Sequence, residues 1–443
     1  MQTTYTKSKT HRNSTRIWIE GQKLIAAGFD CEQRFKVEYS ETTKTIILRT
    51  TPDGSCKVSG AKRNGKRRPI IDLTNQQVAA VFPANSRLRV TFVKNKITIE
   101  EHHETTSKEN REKRFKTRSK TGKLVEASMF TGGGISTEAI SLATQDAGLQ
   151  SRVAWVCDME TKYIESAGEN CLAIDDDTVF IVGAVEEIES ELFTECDILS
   201  FSMPCAGFSK AGKSKHQTSA ENHSGTALFG VINAIKSANP SIIISENVTE
   251  AFDSPIYQLL TSELRRCNYK VFEQVLNQEH TGTVENRQRY WLVAVSDGIA
   301  PDELALPEID VCRPTISSLL EDNPNESWCA NEYMHAKAER DAAAGKGFKR
   351  QLLSGKEDRC GTIGRFYAKK RSTEPFLVED KLERLFTPVE HARLKSVPEY
   401  LISNQSKTTA HEILGQSVDF LQPYNLVLKL FEMMQRRNHA FTI

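Results

Sequence analysis

The sequence predicts an α/β protein in which a doubly wound, mainly parallel open sheet follows a small β-rich domain. Three observations carry that prediction. From Leu124 onward, short apolar runs alternate with helix-compatible stretches, the pattern of a parallel sheet covered by helices on both faces. Before about His102 the runs are short, alternate polar with apolar residues and are bounded by turn residues, as antiparallel strands are. At 443 residues the chain exceeds one ordinary core, so two or three domains are expected.

Composition narrows the class further. Lys plus Arg and Asp plus Glu both number 58, so the formal charge is zero, although basic residues cluster at 62–68 and 108–123. No apolar run approaches the length of a membrane span, and the polar N-terminus carries no secretory signal. The 10 cysteines show no Cys-x-x-Cys pair, so neither a zinc site nor a disulfide framework is expected. A reducing, cytoplasmic location fits.

Residues 1–15 are polar and read as frayed. Ile17-Trp18-Ile19, then Arg34–Tyr39 with Thr45–Thr50 as a hairpin, Ile70–Leu73, Leu88–Val93 and Lys96–Glu100 make up the β-rich domain, 1–102. The basic stretch Lys62–Arg68 reads as a loop. Residues 103–123, strongly basic with Phe115 as the lone aromatic, read as a partly helical linker, either solvated or lying along a phosphate backbone. The Trp-Ile-x-Gly…Ala-Gly-Phe pattern around Trp18–Phe29 resembles the SymE-like members of the AbrB-type swapped-hairpin group. That resemblance implies a nucleic-acid-binding or homodimerising module.

The α/β part opens with Leu124–Phe130 as a strand, Thr131-Gly132-Gly133-Gly134 as a turn and Ile135–Thr144 as a helix. Val153–Val156, Val179–Val182, Asp197–Phe201, Ser241–Ser245, Gln274–Leu276 and Tyr290–Val295 are further strands. Phe130-x-Gly132-x-Gly134 sits where a backbone can approach a ligand at a helix N-terminus. Asp158, closing the second strand, can accept both hydroxyls of a ribose. Together they suggest an adenosine-containing cofactor.

Pro204-Cys205, Glu246-Asn247-Val248 and Asn286-Arg287-Gln288-Arg289 fall at strand ends on one edge of the sheet. Cys205 alone reads more readily as an inert buried thiol than as a nucleophile. A thiol, an acid and an arginine converging there suit an electron-poor heterocycle. Carbon 5 of cytosine becomes nucleophilic when a thiolate adds at carbon 6 and N3 is protonated or hydrogen-bonded. Glu246 can serve N3 if burial raises its pKa, and an arginine can hold the O2 oxygen.

Those motifs, in that order from Leu124 to Leu430, resemble the DNA (cytosine-5) methyltransferases. The resemblance implies a Rossmann-like, S-adenosylmethionine-dependent domain over 124–295 and 384–443, with a target recognition region at 296–383. It implies Cys205 as nucleophile, Glu246 as N3 partner, Arg289 as O2 contact, and Arg287 in a loop-positioning or phosphate role. Phe130, Thr131, Gly132, Gly134, Asp158, Met159, Val185, Gln416 and Ser417 would line the S-adenosylmethionine site, with no metal. Ser209, Lys213, Lys215, Arg359, Thr362, Ile363 and Arg365 would contact double-stranded DNA. Several positions depart from the family pattern: Ser128 for an acid, Ala184 for an aspartate, Ala206 and Glu285 for glutamines, and Gln416 for an asparagine. An RNA cytosine methyltransferase, or a DNA-binding regulator that cannot hold cofactor, remain as alternatives.

Overall fold

Residues 1–11, 14–63, 65–204, 223–345 and 350–437 are described by a computed structural model. They form two units, Met1–Asn110 and Arg111–Ile443. The first holds strands β1 (Gln2–Lys7), β2 (Lys9–His11), β3 (Ser14–Glu20), β4 (Arg34–Ser40), β5 (Thr45–Thr50), β6 (Cys56–Lys57), β7 (Ser59–Arg63), β8 (Lys66–Thr74), β9 (Arg87–Val93) and β10 (Lys96–Glu101). Helix α1 (Gln22–Ala26) follows β3, and α2 (Gln76–Val81) follows β8. The strands make a six-stranded sheet, β1-β9-β10-β5-β4-β6, and a four-stranded one, β2-β3-β8-β7.

This unit is an internal duplication. Each half is strand, short helix and hairpin: β3-α1-β4-β5, then β8-α2-β9-β10. The halves meet at two antiparallel seams. Ile17, Trp18 and Ile19 face Leu73, Asp72 and Ile71, while Leu48, Ile47 and Ile46 face Ile97, Thr98 and Ile99. Both registers are symmetric about their central pair, so one chain makes the strand pairing that two copies of a swapped hairpin would share. Buried Ile17, Ile19, Phe35, Leu48, Leu73, Val90 and Ile97 form its core.

Two N-terminal expectations are corrected. The first residues are not frayed, because β1 pairs with β9 from Gln2↔Phe92 to Lys7↔Arg87. The basic stretch is no open loop, since β7 and β8 pair from Ser59↔Ile70 to Arg63↔Lys66.

The linker is also corrected: His103–Thr121 is helix α3. Its basic residues are spent inside the second unit. Arg111 is buried, donating from Nε to Ser296 Oγ at 2.9 Å and from its Nη2 to the Cys267 carbonyl at 2.8 Å. Arg114 and Arg118 pair with the fully buried Asp197 at 3.1 and 3.0 Å, and Asp197 also accepts from the Val125 amide at 2.9 Å. Buried charges persist when paired and hydrogen-bonded in this way.

The second unit is built on β11 (Lys123–Met129), α4 (Ile135–Asp146), β12 (Gln150–Asp158), α5 (Thr161–Asn170), β13 (Val179–Val182), β14 (Ile198–Phe201), α6 (His223–Ala238), β15 (Ile242–Asn247), α7 (Pro255–Arg266), β16 (Tyr269–Leu276) and β17 (Arg289–Ser296). The sheet runs β13-β12-β11-β14-β15-β17-β16, in which the first five strands are parallel, β17 runs against them and β16, antiparallel to β17, returns to their direction. Its order reverses between β11 and β14, the switch point at which open α/β sheets open a crevice. Because β17 runs against β15, its first residue, Arg289, reaches the same edge as the last residues of β15.

Beyond the sheet lie α8 (Glu332–Ala343), a small sheet of β18 (Gln351–Leu353), β19 (Pro375–Glu379) and β20 (Leu382–Arg384), then α9 (Pro388–Leu394), α10 (Lys407–Gln416) and α11 (Leu421–Arg437). Helix α9 starts with a capping box, Thr387 with Glu390. Ile316, Ile363, Tyr367, Phe376 and Phe386 form a core of their own under the recognition region.

Candidate active site

The turn after β11 is set by backbone conformation. Phe130, Gly132 and Gly134 all have positive φ, 53°, 54° and 80°. For Phe130 that conformation costs of order 1–3 kcal/mol and marks the turn as a strained, over-determined segment. Gly134 caps α4, so the helix N-terminus opens onto the turn. A side chain at Gly133 would run into Ile413 of α10, so the turn must be bare there. Gln416, the last residue of α10, holds its amide nitrogen 3.8 Å from where a Gly132 Cβ would stand. The C-terminal helix thus closes over the glycine turn.

Asp158 ends β12 beside that turn. Its carboxylate accepts from the Gly132 amide at 2.8 Å and the Glu160 amide at 2.9 Å, and burial raises its pKa. Two oxygens with about four acceptor positions leave capacity for ligand hydroxyls after those bonds. Met159 next to it is 60% exposed, an apolar surface suited to a planar ring. Val185 is buried, opening a helical turn against α6. These groups fit a nucleoside.

Ser417 is different from expectation. Its hydroxyl donates to the Leu414 carbonyl at 2.9 Å and accepts from Lys395 Nζ at 3.0 Å, so its side chain is engaged inside the fold.

At the strand edge, Glu246 and Arg289 meet, with Arg289 Nε 2.8 Å from Glu246 Oε1. The Ser202 hydroxyl donates to the other oxygen, Oε2. Asn247 donates to the Met203 carbonyl at 3.0 Å and to Tyr257 Oη at 3.1 Å. The segment Ser202–Met203–Pro204 is thereby tied to the acid strand at two points. Cys205, Ala206, Ser209, Lys213 and Lys215 lie outside the described residues.

Of the remaining expectations, Arg287 takes the loop-positioning alternative over the phosphate one, and those for Ile363 and Arg365 are corrected. Arg287 is buried, and its guanidinium binds Glu285 Oε1 at 3.2 Å and the carbonyls of Ile363 at 3.3 Å and Gly415 at 2.9 Å. It fastens the loop and cannot reach a phosphate. Ile363 is fully buried in the recognition core, so it packs rather than touching DNA. Arg365 donates to Tyr163 Oη at 2.8 Å and lies over that ring, turned toward α5. Thr362 is exposed and donates to the Asn286 carbonyl at 2.6 Å, while exposed Arg359 pairs with Glu279 at 3.0 Å.

Sequence reasoning passed over several groups. Ser202 sits three residues before Cys205, a spacing that could have flagged it. Glu126 is buried in β11, two residues before Ser128, and burial pushes its carboxyl up to about 7. Lys395, at the end of α9, is fully buried and donates to the carbonyls of Leu414 and Ser417 and to Ser417 Oγ. Burial pushes its pKa well down. His391 and His411 stack beside it with their Nδ1 atoms 3.1 Å apart; burial lowers both, His411 to about 3. Nothing in the local pattern announces that cluster. Glu285, one of the departures from the family pattern, belongs to it, accepting from the Ile363 amide at 3.2 Å.

A glycine turn and a strand-end carboxylate that fit a nucleoside, with an acid–arginine pair one strand from Ser202–Met203–Pro204, are the features of a nucleoside-dependent group-transfer site on an α/β sheet. The chain belongs to the C-5 cytosine-specific DNA methylase family, whose sequence model matches residues 129–432. It is similar to the type II methyltransferase M.NlaX of Neisseria lactamica, 27% identical over 246 residues, 54% of this chain and 77% of that one. It is also similar to M1.ScrFI of Lactococcus lactis subsp. cremoris, 24% identical over 263 residues, 57% of this chain and 67% of that one. Among solved structures, S. pombe Dnmt2 methyltransferase matches with TM-score 0.55 at 18% identity, over 71% of this chain and 99% of that one. A putative DNA modification methyltransferase from an E. coli prophage matches with TM-score 0.51 at 15% identity, over 70% and 99%. These structural likenesses show the shared fold. The chain is therefore a DNA (cytosine-5) methyltransferase, a class that takes its methyl group from S-adenosylmethionine.

Proposed function

We propose that Cys205, Glu246 and Arg289 carry the methylation of a cytosine flipped out of duplex DNA. The observation that supports it most is the Glu246–Arg289 pair at 2.8 Å, beside the segment that ends one residue before the thiol. The Cys205 thiolate adds to carbon 6, forming a carbon–sulfur bond, while Glu246 hydrogen-bonds N3 and Arg289 holds O2. Carbon 5 thereby becomes the nucleophile. S-adenosylmethionine, when bound, supplies an electrophilic methyl group to it. Loss of the carbon 5 proton then returns the electron pair that expels the thiolate. Flipping the base costs a few kcal/mol, to be offset by pocket and backbone contacts.

The glycine turn, Asp158 and Met159 would hold the cofactor's nucleoside, and Gln416 would close over it. Arg287 acts as a positioning residue, joining the paired-arginine loop to the recognition region and to α10. Thr362 and Arg359 are the remaining recognition-region candidates for DNA contact. The test is transfer of labelled methyl groups to duplex DNA. Wild type is expected to incorporate label and Cys205→Ala to incorporate none; equal incorporation would overturn the assignment.

A further inference from the structure

Charge is segregated along this chain. Residues 1–110 hold 20 Lys and Arg against 11 Asp and Glu, a net charge of +9, and the remainder carries −9. Within the N-terminal unit one group of cations stands on the outer face of the six-stranded sheet, and a second, at 62–68, is carried by β7 and β8 of the four-stranded sheet. In the six-stranded sheet Phe35, Leu48, Leu88 and Ile97 point into the core, which turns Arg34, Lys36, Arg49, Arg87 and Lys96 outward. Across the strands like charges stand directly opposite: Arg34 faces Lys57, Lys36 faces Arg49, Arg49 faces Lys96, and Lys7 faces Arg87. Such pairs are destabilising in a sheet.

Carboxylates temper this face without neutralising it. Asp53 pairs with Lys36 at 2.6 Å, Glu38 with Arg49 at 3.2 Å, Glu104 with Arg87 at 2.7 Å, and Glu32 with Lys57; Arg89 is matched by Glu100 at 2.8 Å. The solvent-facing pairs contribute at most about 1 kcal/mol each, so phosphates can displace them, whereas Arg87 is held by the buried Glu104. The row Lys36, Arg49, Lys96 crosses three strands, about 10 Å, the axial length of about three phosphates on one DNA strand. Its flanking outward residues are Glu38, Ile47 and Thr98, none of them aromatic, while the exposed ring of Tyr5 stands on edge strand β1 opposite Arg89.

We propose that this outward face binds the phosphate backbone of duplex DNA without regard to sequence, as a second DNA-binding surface separate from the methylation site. The test uses the full chain and a labelled duplex of A·T pairs alone, which offers the active site no cytosine. The triple variant Lys36→Gln, Arg49→Gln, Lys96→Gln is expected to bind it at least tenfold more weakly near 0.1 M salt. The slope of log K against log salt should fall by about 2–3, close to 0.9 per lost phosphate contact. Its turnover on saturating cytosine-containing DNA should be unchanged, and its thermal midpoint no lower, since repulsion is relieved. Thr98→Lys, which adds a cation to the same face, should steepen the slope by about 1, and this decides the matter if the triple variant fails to fold. Unchanged affinity and slope in both variants would overturn the proposal. So would a loss confined to single-stranded RNA, which would make RNA the partner.

Discussion

Lys395 shows how far single side chains carry the site. An ammonium removed from water survives only if its donors are used, and here all three meet oxygens at the end of α10. Those oxygens fix the turn that places Gln416 over Gly132. Lys395→Met leaves the Ser417 carbonyl without its amine donor, at about 1–3 kcal/mol, and the Leu414 carbonyl with only the Ser417 hydroxyl. The expected outcome is at least a tenfold weaker affinity for S-adenosylhomocysteine by calorimetric titration, with kcat at saturating cofactor within a few-fold of wild type. Lys395→Gln, which keeps two donors, should recover part of the affinity. Unchanged affinity in Lys395→Met would show that the lysine does not position the cofactor loop. Residues of this kind are hard to read in a sequence, because their burial follows from helices far apart in the chain. Glu246 and Arg289 were legible as partners because the chemistry demands an acid and an arginine at neighbouring strand ends, and the two meet at 2.8 Å; Cys205 lies outside the described residues. Ile363 was misjudged, and Arg287 was left between a loop-positioning and a phosphate role, because motif membership says nothing about which way a side chain faces.

At the scale of elements, helix α3 is the clearest case of composition misleading. Its residues are charged enough to resemble a tether, yet Arg111 and Phe115 are buried and Arg114 and Arg118 converge on Asp197. Removing one partner of a buried charge group typically costs about 3–5 kcal/mol. Asp197→Ala is therefore expected to lower the free energy of unfolding by that order in a denaturant titration. A loss below about 1 kcal/mol would mean that α3 is held by other contacts. The strands of the catalytic sheet were readable because each is a short apolar run between breakers. The N-terminal duplication was not, because its halves share a pattern rather than residues: Trp18 answers to Asp72 and Ile47 to Thr98. The spacing also drifts between the halves, from Ile17 and Ile71 to Ile46 and Ile97, as their turns differ in length.

For the whole molecule, the antiparallel β17 brings Arg289 to the edge where β15 ends and where β14 delivers the Pro-Cys segment. Adjacent parallel strands β11 and β14 place the glycine turn next to that segment, with Met129 opposite Phe201. On the proposed assignment, sheet order would bring methyl donor and base to neighbouring strand ends and gather motifs scattered over some 290 residues into one site. The most direct test replaces the target cytosine by 5-fluorocytosine in duplex DNA. Fluorine at carbon 5 cannot leave as a proton, so the carbon–sulfur bond made at carbon 6 persists. With S-adenosylmethionine present, wild type is predicted to give a denaturant-stable protein–DNA adduct whose mass maps to the peptide containing Cys205, and Cys205→Ala to give none. An adduct mapping elsewhere, or methylation by the wild type with no adduct on the fluorinated duplex, would contradict the account.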